Sequence, residues 1–196
     1  MTFHPSLVPP DIRERFAAAP DFAGCLEAVE ANRELWRGLF GRARVASELE
    51  ARAAGVPGTF HFLVPSEDWC GDAVNTLPMV ARFVEALPAA KFRILGREDN
   101  PDLMDSHLTD GRSRSIPVVI VYDDDFRELG WWGPRPAELQ AWVLGAGQAL
   151  SKSDRYREVR REYARDRGQT VVREILDILT STPAPTLSQE ASSTET

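Results

Sequence analysis

Hydrophobic and polar positions along the chain fall into zones of different period. From Asp11 to about Ala54, Phe22, Cys25, Leu26, Val29, Leu35, Trp36, Leu39 and Phe40 recur at the spacing of a helix face. Gly41 is expected to interrupt this helical block, and Gly55-Val56-Pro57-Gly58 to end it. The period then changes. A short apolar run predicts a strand at Thr59–Val64, followed by a turn at Trp69-Cys70-Gly71 and a helix to about Leu87, stopped by Pro88. A strand at Lys91–Leu95, a polar connection and a short helix at Asp102–Leu108 come next. Gly111 to Ser115 is a loop, Ile116–Tyr122 a buried strand, and Asp123-Asp124-Asp125 a turn into a strand at Phe126–Trp131. Gly133-Pro134-Arg135-Pro136 opens a helix to about Leu144, whose end Gly145 and Gly147 loosen. Asp154–Arg167 and Thr170–Leu179 have amphipathic helical patterns. Residues 1–10 are broken by prolines and expected extended, while Thr182–Thr196, rich in Pro, Ser and Thr, is expected disordered.

Composition narrows the classes. The 196 residues suffice for one domain with appendages. The net charge of −7 argues against a nucleic-acid partner, and the arginines interleave with acids, as in Asp154-Arg155-Tyr156-Arg157-Glu158. No apolar run approaches the roughly eighteen residues of a membrane span. The opening Met1-Thr2-Phe3-His4-Pro5 lacks the basic and apolar regions of a secretory signal. Cys25 and Cys70 are too few for a disulfide framework, so a reducing, cytoplasmic setting is expected. His4, His61 and His107 show no ligand spacing and no Cys-x-x-Cys pair exists, so neither a metal nor a cofactor is expected.

The chemistry concentrates at Cys70. A thiol at a helix start sits against free N–H groups and the positive end of the helix, which favours its thiolate. Asp72 in the first turn opposes that by like-charge repulsion, and Glu67 and Asp68 stand nearby, so the net sign is open at this stage. The bland reading of Cys70 is a small core residue, which is also the reading of Cys25 among Phe22, Leu26 and Val29. The sharper alternative for the pair is a Cys25–Cys70 disulfide, which needs Cα atoms within about 7 Å.

The order β–α–β–α–β–β–α with Trp69-Cys70-Gly71 after the first strand resembles the thioredoxin fold. Trp69-Cys70-Gly71 resembles the start of the Trp-Cys-Gly-Pro-Cys box. Pro78 matches the proline of the active-site helix, and Ser115-Ile116-Pro117-Val118 the cis-proline loop. Glu67-Asp68-Trp69-Cys70-Gly71-Asp72 and Trp132-Gly133-Pro134-Arg135-Pro136 further resemble a bacterial thioredoxin-like subgroup with a Trp-Cys-Gly-Asp, monothiol box. The resemblance implies an α/β fold with a central mixed sheet flanked by helices. It places an N-terminal helical extension at 1–55, the thioredoxin-like core at 56–147, C-terminal helices packed on it at 148–181, and a tail at 182–196. It also implies that Pro117 is cis and lies beside the thiol, with the Ile116 backbone and Trp69 binding substrate. Two positions depart from the family: Ala73 stands where the resolving Cys belongs, and Val64 where the family has a buried Asp base.

These readings make Cys70 the catalytic candidate, Trp69, Ile116 and Pro117 the substrate-binding candidates, and Gly71, Asp72 and Arg135 the accessory ones. Asp72 is either a helix-start residue or a group acting on the thiol. Arg135 is either a solvated arginine or an anchor for the carboxylate of a small thiol. Arg97, Glu98 and Asp99 are polar turn residues at the same end of the sheet, and Trp131, Trp132 and Trp142 core or rim aromatics. The leading expectation is a monothiol thiol-disulfide oxidoreductase acting on a protein disulfide or a low-molecular-weight thiol adduct through a mixed disulfide. The alternatives are a non-catalytic thioredoxin-fold binding module and a protein in which Cys70 is a reversible oxidation site. Oligomeric state is not legible at this level.

Overall fold

The computed structural model describes Pro9 and residues 11–181. His4, the rest of the proline-broken start and the Thr182–Thr196 tail lie outside the described residues. The helical block is not one helix but four: α1 (Ile12–Ala18), α2 (Phe22–Ala28), α3 (Arg33–Arg42) and α4 (Ser47–Ala54). Gly41 lies inside α3 instead of breaking it. The breaks fall where another segment claims the backbone. Ala19 is extended before Pro20, whose carbonyl accepts from Ile94 N–H at 3.1 Å. Asp21 then caps α2 by accepting from Gly24 N–H.

The remaining elements are β1 (Phe60–Ser66), α5 (Gly71–Glu85), β2 (Ala90–Gly96), α6 (Pro101–Ser106), β3 (Val119–Tyr122), β4 (Glu128–Trp132), α7 (Ala137–Leu144), a 3₁₀ turn at Ala146–Ala149, α8 (Lys152–Asp166) and α9 (Gln169–Ser181). Both last strands start later than their apolar runs suggest. The Ile116–Pro117 peptide is cis, and pairing with β4 begins at Val119. Phe126 takes a left-handed φ of 61° in the turn after β3, so β4 begins at Glu128.

The strands form one mixed sheet in the order β2-β1-β3-β4. β1 is parallel to β2 and antiparallel to β3, and β3 is antiparallel to β4. Every residue of central β1 is buried. Strand parity divides its side chains between two helical layers. Phe62 meets Phe83 of α5, and Trp132, on the same face, donates its indole N–H to Glu174 of α9 at 2.6 Å. On the other face His61 stacks on Phe126 and meets the edge of Phe16 from α1. His107, just after α6, packs against Trp131 there. Burial of Phe62, Leu63, Val64, Leu77, Val80, Phe83, Val119, Ile120, Val121, Ile175 and Leu176 supplies the main stabilisation, each side chain contributing roughly 1.5–3 kcal/mol by area. This sandwich presents the C-terminal end of β1, and the turn that follows it, as a fixed platform for Cys70.

Candidate functional site

Cys70 is the N-cap residue of α5. The turn leading to it is held by its acidic residues. Glu67 accepts from Arg97 N–H at 2.8 Å, and Asp68 accepts from Glu30 and Ala31 N–H, both at 2.9 Å. The Asp68 carbonyl accepts from the Trp36 indole at 3.0 Å. These bonds break the helical run between α2 and α3 and bind the N-terminal helices to the turn before the thiol. Trp69 is 55 % exposed, with the Arg97 guanidinium 5.4 Å from its ring centroid.

The Cys70 thiol donates to the Ile116 carbonyl at 3.3 Å, which places it against the cis-proline loop. Cys70 itself is buried, at 7 % exposure. The next residue, Gly71, is exposed, with open space where a side chain would stand. The loop is held from behind by a second cis peptide, Gly133–Pro134. Gly133 has φ 144°, and a Cβ there would stand 2.2 Å from the Pro117 carbonyl oxygen. Only glycine permits that approach.

Burial pushes the Cys70 thiol above its ordinary value; the Ala73 and Asp72 N–H groups pull it down, Asp72 adds to the rise, and Arg135 opposes it. The question the sequence leaves open is therefore answered by desolvation. Asp72 is more than a helix-start residue. It is buried, Arg135 donates to it through Nε at 3.0 Å and Nη2 at 2.5 Å, and the Tyr163 hydroxyl donates at 2.7 Å. Gln140 steadies Arg135 by accepting from Nη1 at 2.8 Å. Arg135 is thus neither solvated nor free for a substrate carboxylate. Tyr163, from α8, escapes sequence reasoning; it shares a buried helix face with Val159 and has no other mark.

Ala73 and Val64, at the positions of the family's second Cys and base, are fully buried. Cys25 is half-buried, and neither it nor the buried Cys70 is paired, so the disulfide alternative is not formed; burial raises the Cys25 thiol to about 11. Among the described residues no cluster of three or more His, Cys, Asp or Glu side chains is placed to hold a metal ion. Nor, among them, is any helix long and apolar enough to cross a membrane.

With this geometry in view, known proteins give a consistent answer on class. A family model described as Thioredoxin matches residues 19–157. The chain belongs to that thioredoxin-like family. No curated protein matches. Among solved structures, an HIV epitope-scaffold superposes with a TM-score of 0.70 at 19 % identity, covering 87 % of this chain and 98 % of its own. A protein of unknown function from Pseudomonas aeruginosa gives a TM-score of 0.69 at 22 % identity, covering 86 % and 96 %. At such identities the likeness is one of fold.

Proposed function

We propose that the chain is a monothiol thiol-disulfide oxidoreductase working through Cys70 in a reducing, cytoplasmic setting. The carrying observation is the Cys70 sulfur at the start of α5, 3.3 Å from the Ile116 carbonyl and beside cis Pro117. The Cys70 thiol loses its proton, and the thiolate attacks one sulfur of a protein disulfide or of a small-thiol adduct. A Cys70–S–S–R bond forms, the substrate S–S bond breaks, and the other sulfur leaves as a thiolate that takes up a proton. A low-molecular-weight thiol then attacks the mixed disulfide, restores Cys70 and carries R away as a new disulfide. Trp69 and the Ile116–Pro117 backbone bind the substrate segment as a short added strand. Residues 56–147 carry this chemistry, and the helices of 1–55 and 148–181 support it.

The pH dependence follows from burial. Because the thiol is raised, the protonated form holds at neutral pH, and only the thiolate reacts. Residue-resolved iodoacetamide labelling of Cys70 is expected to accelerate with pH and to turn over above the ordinary thiol value of about 8.5. An inflection below that value contradicts this picture.

A second reading, a thioredoxin-fold binding module, is favoured by the same burial and by a cavity. A space of about 610 Å³ opens between α1–α3 and the β2 edge, walled by Phe22, Leu26, Trp36, Leu77 and Ile94 and reaching Glu67 and Asp68. That volume suits a bound side chain or small molecule. Trapping separates the readings. A mixed disulfide accumulating on Cys70 with an oxidised small thiol, and cleared by excess reduced thiol, supports the enzyme; absence of any adduct at a pH where Cys70 alkylates supports the module.

A further inference from the structure

Asp72 is a carboxylate two residues past the thiol, buried on the core side of α5. Its donors come from two separate elements: Arg135 from the turn between β4 and α7, and Tyr163 from α8, 91 positions along the chain. Tyr163 is itself buried, and Arg135 is oriented by Gln140 of α7. Such an arrangement is costly unless every partner is in place, since a buried charge that loses a donor keeps its full desolvation cost. The other charged groups near the thiol are engaged elsewhere. Glu67 accepts from Arg97 and Glu98 N–H, Asp68 from Glu30 and Ala31 N–H, and Arg97 lies over Trp69. From the cis-proline loop the Ile116 carbonyl accepts from the thiol. Asp72 with its two partners is therefore the charge system that faces Cys70.

We propose that Arg135 and Tyr163 are positioning residues for the thiol: they hold the Asp72 carboxylate in one fixed, charge-compensated place beside Cys70, so that helix α8, outside the strand-and-helix core, sets the reactivity of a sulfur far from it in sequence. This deepens the monothiol reading and rests on it for its biological sense, but the device itself is a property of the thiol. The physical chain is short. An ionised Asp72 disfavours a second negative charge at Cys70, and each donor to Asp72 spreads that charge and weakens the effect. The direction of the Asp72 and Arg135 influences on the thiol agrees with this: the first raises it and the second lowers it.

The test is the pH profile of Cys70 alkylation in the full-length chain, read by peptide mass so that Cys25 is scored separately. Tyr163→Phe keeps the ring and removes one donor; its profile is expected to move to higher pH, with alkylation roughly three- to tenfold slower below the inflection. Asp72→Asn is expected to move the profile the other way, since it removes the repelling charge and leaves Arg135 unopposed. The decisive arm combines them. If Tyr163 acts through Asp72, adding Tyr163→Phe to Asp72→Asn leaves the profile where Asp72→Asn put it. A Tyr163→Phe profile that superimposes on the wild type, or an equal displacement in both backgrounds, overturns the proposal. A circular-dichroism melt of each variant identifies any loss of fold, and Tyr163→Trp, bulky and able to donate, supplies a second probe that is expected to retain part of the wild-type profile. Loss of exchange activity with these profiles as expected would remove the oxidoreductase reading and leave the device standing; the reverse result would do the opposite.

Discussion

Replacing Cys70 by Ser is expected to reduce thiol-coupled disulfide exchange to the uncatalysed background, because Ala73 places no second sulfur within the turn and Cys25 is held unpaired on α2 with its thiol raised to about 11. The measurement is glutathione-coupled reduction of a small mixed disulfide by the wild type and the variant at matched concentration. Unchanged activity in the variant would remove the oxidoreductase reading. The companion variant, Ala73→Cys, is expected to gain insulin reduction from a weak start. Recovery should stay incomplete, because Val64 offers no base for the new thiol and general-base help is worth about 10²–10⁴-fold. Ala73 has no exposure at all, so the added sulfur must also be accommodated by its neighbours.

Gly133→Ala is expected to be the most damaging single-methyl change at the site. The new Cβ would stand 2.2 Å from the Pro117 carbonyl oxygen, at a φ of 144° that side chains rarely adopt. Backbone strain of that kind costs about 1–3 kcal/mol before any clash is counted, and each kcal/mol lowers Tm by roughly 2–4 °C in a chain of this size. Because Pro117 adjoins the carbonyl that meets the thiol, the shift must also disturb Cys70; its alkylation rate should change along with the melt. Gly41→Ala is the control. It lies within α3 with nothing within 4 Å of its Cβ, and should stabilise by about 0.5–1 kcal/mol. Equal melting temperatures for Gly133→Ala and the wild type would show that the two cis-proline loops do not constrain each other.

Much of the fold is legible in residue pattern, because strands and the thiol helix bury simple periodic faces. The run Phe60-His61-Phe62-Leu63-Val64 is a central strand; the cis bond at Ile116-Pro117 follows only from the resemblance to thioredoxins, since an apolar run beside a proline does not specify it. The breaks in the first helical block are not legible. Ala19, Val29 and Ala43 are compatible with helix on their own; Glu30 and Ala31 leave it because Asp68, 37 to 38 positions away, takes their N–H groups. Phe126 takes a left-handed φ in a turn where its ring stacks on His61, 65 positions earlier in the chain. The same holds at the site. The Trp-Cys-Gly turn marks the sulfur, but the carbonyl that meets the thiol lies 46 positions on, and the Asp72–Tyr163 bond joins residues that no local period relates.

The two apolar residues at the positions of the family's second Cys and base have a kinetic meaning. With a buried methyl at Ala73 and an isopropyl at Val64, an adduct on Cys70 has no exit within the molecule, so its lifetime is handed to the surroundings. Under the proposed chemistry the fraction of chain carrying an adduct follows the ratio of disulfide to free thiol outside it, as occupancy of a receptor follows ligand concentration. Under the same chemistry, where a dithiol site resets itself after every encounter, this one would retain a memory of the last, with an abundant external thiol as its clock.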